Sequence, residues 1–267
     1  MKKVLIITFI GILTISLIGC DINSKVKGAI SNDESNNSSS NKLIDEKVTL
    51  DDATDINIEI CAAEVSVKSY DGEEVKMTGK LSDRSKGIDI NKKDNKIGIV
   101  ERGYEPIGSI INTEEDNSKI DILVPSKFNG NFVFKQGAGK SDIEGIKVKD
   151  IDITGGAGEL KFGDIRFDKL NLNSGAGKVD LNLNEKCGDI LINGGVGEVN
   201  IKMAEVGGNL VYKGGVGSSN ITIPENSPVK FVTQKGIGEC KIDAKTSSEG
   251  TYTFDLKVGV GSIKVRN

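Results

Sequence analysis

Between Phe132 and Val265 the chain is written in pairs of short runs in which every second residue is apolar, and each pair is split by a small glycine triplet. Ile151 and Ile153 precede one triplet and Leu160 and Phe162 follow it; Leu170 and Leu172 are answered by Val179 and Leu181, and Ile190 and Ile192 by Val199 and Ile201. Phe231 and Thr233, with Cys240 and Ile242, hold the same positions in a later repeat. Period two is the strand period, and the intervening residues are mostly Lys, Asp, Glu, Asn and Thr, so each pair predicts two half-buried strands meeting at a glycine corner.

The triplets are Gly137-Ala138-Gly139, Gly156-Ala157-Gly158, Gly175-Ala176-Gly177, Gly195-Val196-Gly197, Gly215-Val216-Gly217, Gly236-Ile237-Gly238 and Gly259-Val260-Gly261. They return at spacings of 19, 19, 20, 20, 21 and 23 residues, a period that marks a solenoid. The expected fold is all-β: a single-stranded parallel β-helix of about 20-residue coils, stacked in chain order at about 4.8 Å per coil. A lone coil buries too few side chains to offset the entropy of ordering its backbone, so stacking is what makes it fold. Glycine suits the corners because it takes positive φ and admits close approach of the next coil.

Upstream, Ile56, Ile58, Val65 and Val67 flank Cys61-Ala62-Ala63 at the same offsets, which reads as a first coil with Ala in place of the second Gly. Strand-like runs follow at 74–81, 87–91, 96–100 and 119–124, with Asp71-Gly72 and Asp94-Asn95 as expected hairpin turns. Residues 46–130 therefore read as an N-terminal cap of strands and hairpins, with 102–117 an exposed loop, before the repeats of 131–267.

Residues 1–19 have the form of an export signal, with Lys2 and Lys3 ahead of an apolar run from Val4 to Ile18. Leu17-Ile18-Gly19-Cys20 resembles the lipobox of bacterial lipoproteins, which implies that Cys20 is diacylated and anchors the mature chain to the membrane. Residues 20–45, rich in Ser and Asn, are too polar to bury a core and read as a disordered tether. The expected address is the extracytoplasmic face of the cell membrane.

Ile120-Asp121-Ile122-Leu123-Val124-Pro125, followed by repeated triplets and alternating strands such as Gly197-Glu198-Val199-Asn200-Ile201, resembles the bacterial putative-adhesin, or adhesin-head, family of parallel β-helix domains over about residues 48–267. The resemblance implies a fold and offers no catalytic residues.

The formal charge of −4 becomes −6 once Lys2 and Lys3 leave with the signal, which argues against a nucleic-acid partner. Without His the commonest general base is missing and no Ser or Cys can have a His partner, so no enzyme is expected, and no cofactor or metal. Beyond Cys20 the cysteines are Cys61, Cys187 and Cys240; the last two, two coil rises apart in chain order, lie beyond disulfide reach. Outward positions three residues past each first glycine carry Lys140, Glu159, Lys178 and Glu198, a ladder of alternating sign that sets register or forms a binding face. The leading reading is a lipid-anchored, non-enzymatic adhesive or ligand-binding surface protein whose partner is a cell-wall glycan or an envelope protein. An envelope-sensing module contacting a membrane protein and a polysaccharide-acting β-helix enzyme are the alternatives.

Overall fold

The structure, a computed structural model, describes residues 42–105 and 117–267. The expected signal, Cys20, the tether as far as residue 41 and residues 106–116 of the expected loop lie outside the described residues. Every regular element among the described residues is a β-strand, and the fold is all-β.

Repeats stack as layers. Strand β7 (Asn131–Glu144) pairs in parallel with β8 (Asp150–Gly163), and β8 with β9 (Lys169–Leu183), always residue on equivalent residue. The next layer is split by its corner into β10 (Asp189–Asn193) and β11 (Val196–Met203), and the one after into β12 (Leu210–Lys213) and β13 (Val216–Thr222). The inward register follows the alternation: Ile153, Leu160, Leu172, Val179, Ile192 and Val199 are buried in one continuous core. A third, shorter side of each repeat adds Val148, Phe167 and Cys187 to that core.

The corners explain the glycines. A Cβ on Gly156 would lie 2.0 Å from the carbonyl oxygen of Gly137, and one on Gly158 would lie 1.8 Å from that of Gly139. Gly158 also sits at φ +136°, outside the range open to other residues.

Stacking departs from chain order at both ends. The last repeat in sequence, β15 (Tyr252–Arg266), lies directly on β12 and β13, and β14 (Val229–Ile242) lies outside it. The corners repeat this order, since a Cβ on Gly259 would meet Gly215 and one on Gly238 would meet Gly261. At the other end β2 (Asp55–Tyr70) packs on β7, while β5 (Lys96–Glu101) and β6 (Ser118–Pro125) form the layer beyond it. Cys240 is thereby three layers from Cys187 rather than two.

Beyond β5 and β6 the pairing becomes antiparallel. Strand β4 (Ile88–Lys93) joins β5 through Asp94 and Asn95, at φ 50° and 60°, the positive pair that a two-residue hairpin turn requires. Strand β3 (Glu74–Leu81) covers β6, and β1 (Lys42–Thr49) covers β3, so strand structure starts within the stretch expected as tether. Asp71-Gly72 is not a hairpin turn: β6 lies between β2 and β3, and the chain crosses over it.

In the β5/β6 layer the chain leaves at Glu101 and returns at Ser118, which pairs with Ala63, so no continuous corner lies beneath Cys61 and Ala62. The Glu101 carboxylate fills the gap, accepting from the backbone N–H of Cys61 at 2.7 Å and of Ala62 at 3.4 Å. Ala63 keeps a negative φ, unlike Gly139 and Gly158 in the layers above it, and this corner carries the Cβ that the later corners exclude.

Candidate functional site

The two arms of a repeat do not share one phase. Inward residues stand at odd offsets before the first glycine and at even offsets after it, so the residue in the middle of the triplet turns outward with the second arm. The pairing then strings these residues into one row: Ala62, Ala138, Ala157, Ala176, Val196, Val216, Val260 and Ile237. Flanking glycines carry no side chains, and the row stands up as an apolar ridge.

Its profile is graded, from Ala in the first four layers to Val and then Ile. Val196 and Val216 are each 50% exposed, Val260 is 47% and Ile237 is 79%. Because β15 slips inside β14, the largest residue comes last. Neighbouring layers are about 4.8 Å apart, so these four side chains form a contiguous apolar strip.

The residues singled out from the sequence lie beside it. Lys140, Glu159, Lys178 and Glu198 are successive register partners, and the row extends backward through Glu64 to Lys119, with strict alternation of sign over six layers. Beyond Glu198 it continues as Ser218, Ser262 and Glu239, with Ser262 inside Glu239 because of the exchanged layers. Lys140 is exposed and the other three of the four are half-buried. Ion pairs join this row to the one beside it: Lys161 reaches Glu159 at 3.2 Å and Lys178 reaches Asp180 at 2.9 Å. The hydrogen bond to Asp180 raises the Lys178 pKa, and both groups are charged at neutral pH. Across the ridge the opposite flank runs Glu59, Lys135, Thr154, Asn173, Asn193 and Lys213, with Lys135 on Glu59 at 2.8 Å and Asn193 donating to Asn173 at 2.7 Å.

Among the described residues no group of three or more His, Cys, Asp or Glu converges to hold a metal. Beneath the corners lie two cavities of about 20 Å³ each, room for one water. Buried polar pairs border these same cavities: Ser141 donates to Gln136 at 2.5 Å, and Tyr212 bonds Ser219. Cys187 is a buried thiol whose pKa burial pushes to about 11, leaving it protonated and unreactive.

The ridge was missed in the sequence because only the residues beyond the triplet were assigned to faces. The phase slip was legible, since carrying the second-arm alternation back two residues from Lys140 or Glu198 lands on the middle residue.

Among solved structures, one from Bacteroides fragilis NCTC 9343, described as a putative adhesin, is similar with TM-score 0.52 and 20% identity over 85% of this chain and 98% of that one. One from Clostridium sporogenes ATCC 15579, described as a putative cell adhesion protein, has TM-score 0.41 and 16% identity over 84% of this chain and 99% of that one. One from Parabacteroides distasonis ATCC 8503, described as a putative lipid binding protein, has TM-score 0.41 and 16% identity over 83% and 96%. At 20% identity what the Bacteroides fragilis structure shares with this chain is the fold. No curated protein matches the chain. The family model described as Toastrack DUF4097 matches residues 53–266, which takes in every layer of the stack from β2 onward, and the chain belongs to that family.

Proposed function

We propose that the protein is a lipid-anchored β-solenoid on the cell surface, a single chain wound coil upon coil, that binds a partner without catalysis along its corner ridge. The observation that carries this reading is the contiguous strip of Val196, Val216, Val260 and Ile237, each about half exposed or more, beside a row of alternating charge. A monomeric surface scatters such side chains; a strip of them rimmed by polar rows marks a contact face. The description of the Bacteroides fragilis structure as a putative adhesin is in keeping with this reading. An envelope protein fits the strip better than a glycan, because the ridge offers only aliphatic side chains and no aromatic ring on which a sugar could stack. Cys20 supplies the anchor, and its diacylation places the domain at the extracytoplasmic face of the membrane.

The test uses the whole chain carrying Val196→Ser, Val216→Ser and Val260→Ser. The stacked glycines are untouched, so folding is retained, and capture of the envelope partner by surface cross-linking should fall at least tenfold. Unchanged capture moves the site off the ridge, retention of peptidoglycan fragments by both forms assigns a glycan instead, and turnover of any glycan removes the non-enzymatic reading. A second variant, Lys140→Glu with Glu159→Lys, Lys178→Glu and Glu198→Lys, keeps alternation and register while inverting what a partner meets. It should fold and lose binding. Cys20→Ala should abolish incorporation of labelled fatty acid; unchanged labelling refutes the anchor.

A further inference from the structure

The two ends of the stack are finished differently. Strands β3 and β4 cover the edge of the β5/β6 layer, whereas β14 pairs with β15 on one side and with no strand on the other among the described residues. That leaves a 14-residue strand at the edge of the stack with no further strand beside it among the described residues, and no proline interrupts it. Its inward side chains are also less buried than those of the layer beneath. Phe231, Cys240 and Ile242 are only half-buried and Thr233 is exposed, while Phe254, Leu256, Ile263 and Val265 in the layer beneath are at most 2% exposed. Native sheets rarely leave a long, flat edge of this kind uncovered.

We infer that β14 is a homodimer interface, in which the open end of one copy pairs antiparallel with the same strand of a second copy about a two-fold axis through the glycine corner. Only a second copy meets every inward position with an inward position. In an antiparallel pair, opposed residues share a face, so the residue numbers of opposed partners must add to an odd sum. Three such registers centre on the corner. A sum of 471 sets Lys230 against Lys241, and a sum of 475 sets Lys230 against Lys245. A sum of 473 sets Phe231 on Ile242, Thr233 on Cys240, Val229 on Ala244 and Lys230 on Asp243. Like charges directly opposed are unfavourable, and the remaining register is self-complementary in both packing and charge.

Asp243, one residue past the end of β14, can turn to this contact at modest cost, since its present partner is the exposed Lys241, 2.9 Å away. The opposite end is occupied by β1, β3 and β4, which blocks head-to-tail growth and gives a closed pair instead of a fibre. The two ridges then meet at their Ile237 ends. This inference stands independently of what the ridge binds.

The experiment is a charge exchange on the full chain in detergent, read by sedimentation and by light-scattering mass at about 20 μM. Wild type should be dimeric. Lys230→Asp and Asp243→Lys should each weaken the dimer at least tenfold with unchanged circular dichroism, because both side chains are on the surface. Combined in one chain, they should restore it. A monomeric wild type overturns the proposal, as does a dimer indifferent to all three variants. Cross-linking of residues 1–41 to β14 in a monomer would also overturn it and assign the edge to the chain's own N-terminal segment.

Discussion

At both ends of the stack layer order departs from chain order: β5 and β6 are added outside the earlier β2 at one end, and β15 returns inside the earlier β14 at the other. At the first end the outer layer lacks a corner, Glu101 stands in for it, and antiparallel strands close the edge. At the second the outer layer keeps its full Gly236-Ile237-Gly238 corner, and its inward residues are left partly bare. The difference separates two roles that a glycine corner can serve. Glycine is required where another corner lies directly beneath; a layer with none beneath it can carry Ala.

That distinction is open to a direct attack. Gly158→Val places branched carbons where a Cβ already comes within 1.8 Å of a backbone oxygen, at a φ of +136°. Strain and overpacking together should cost about 5 kcal/mol, enough to unfold a marginal domain. Ala63→Gly at the corresponding position of β2 should cost no more than about 1 kcal/mol, through backbone entropy. Chemical denaturation of both variants reads the contrast. Equal losses would mean that the corner beneath does not decide which residue is allowed.

Phe254 and Phe231 occupy the same repeat position in adjacent layers and meet edge to face at 5.9 Å, which makes them a matched pair. Phe254 is fully buried and Phe231 is not. Phe254→Ala should cost about 3–5 kcal/mol, and Phe231→Ala about half of that when measured at protein concentrations too low for association. If the Phe231 cost rises with concentration, the open end is being covered by a second copy.

How much of this was written in the chain depends on the scale of the signal. The alternation around Ile153, Leu160, Leu172 and Val179 fixed which side chains enter the core, because a one-residue slip would turn each strand inside out. Asp94-Asn95 was a complete local instruction for a hairpin. Asp71-Gly72 looked like another, but a turn does not say which strand will come back beside it, and β6 did. Layer order was illegible for the same reason: all repeats present the same inward pattern, so alternation cannot rank them. The one trace is in the spacing, which lengthens to 21 and 23 residues where the chain must step over a layer and return.

The smallest expected effect lies where β2 meets β7. There the Lys135 ammonium hydrogen-bonds Glu59 at 2.8 Å, and Asn57 adds a second donor at 3.2 Å. The bond from Lys135, opposed by partial burial and helped by Asn57, holds the Glu59 carboxyl below its ordinary value of 4.5. A carboxyl whose folded pKa is depressed stabilises the fold fully above its unfolded pKa, and that contribution fades as pH falls through the lowered folded value. Both side chains are partly exposed, at 27% for Glu59 and 53% for Lys135, so solvent screening limits the pair to about 1 kcal/mol or less. Glu59→Gln should therefore lower stability slightly at pH 7, and the deficit should fade as pH falls through the lowered folded value and wild type loses the charge. The charged row at the open end offers the control. Glu239 is exposed, and its partners in the row are Ser262 and then Ser218, so Glu239→Gln should leave stability at pH 7 unchanged. If Glu59→Gln and Glu239→Gln gave the same loss in thermal melts at pH 7, the charged rows would be interchangeable along the stack and the contrast between its ends would not extend to their electrostatics.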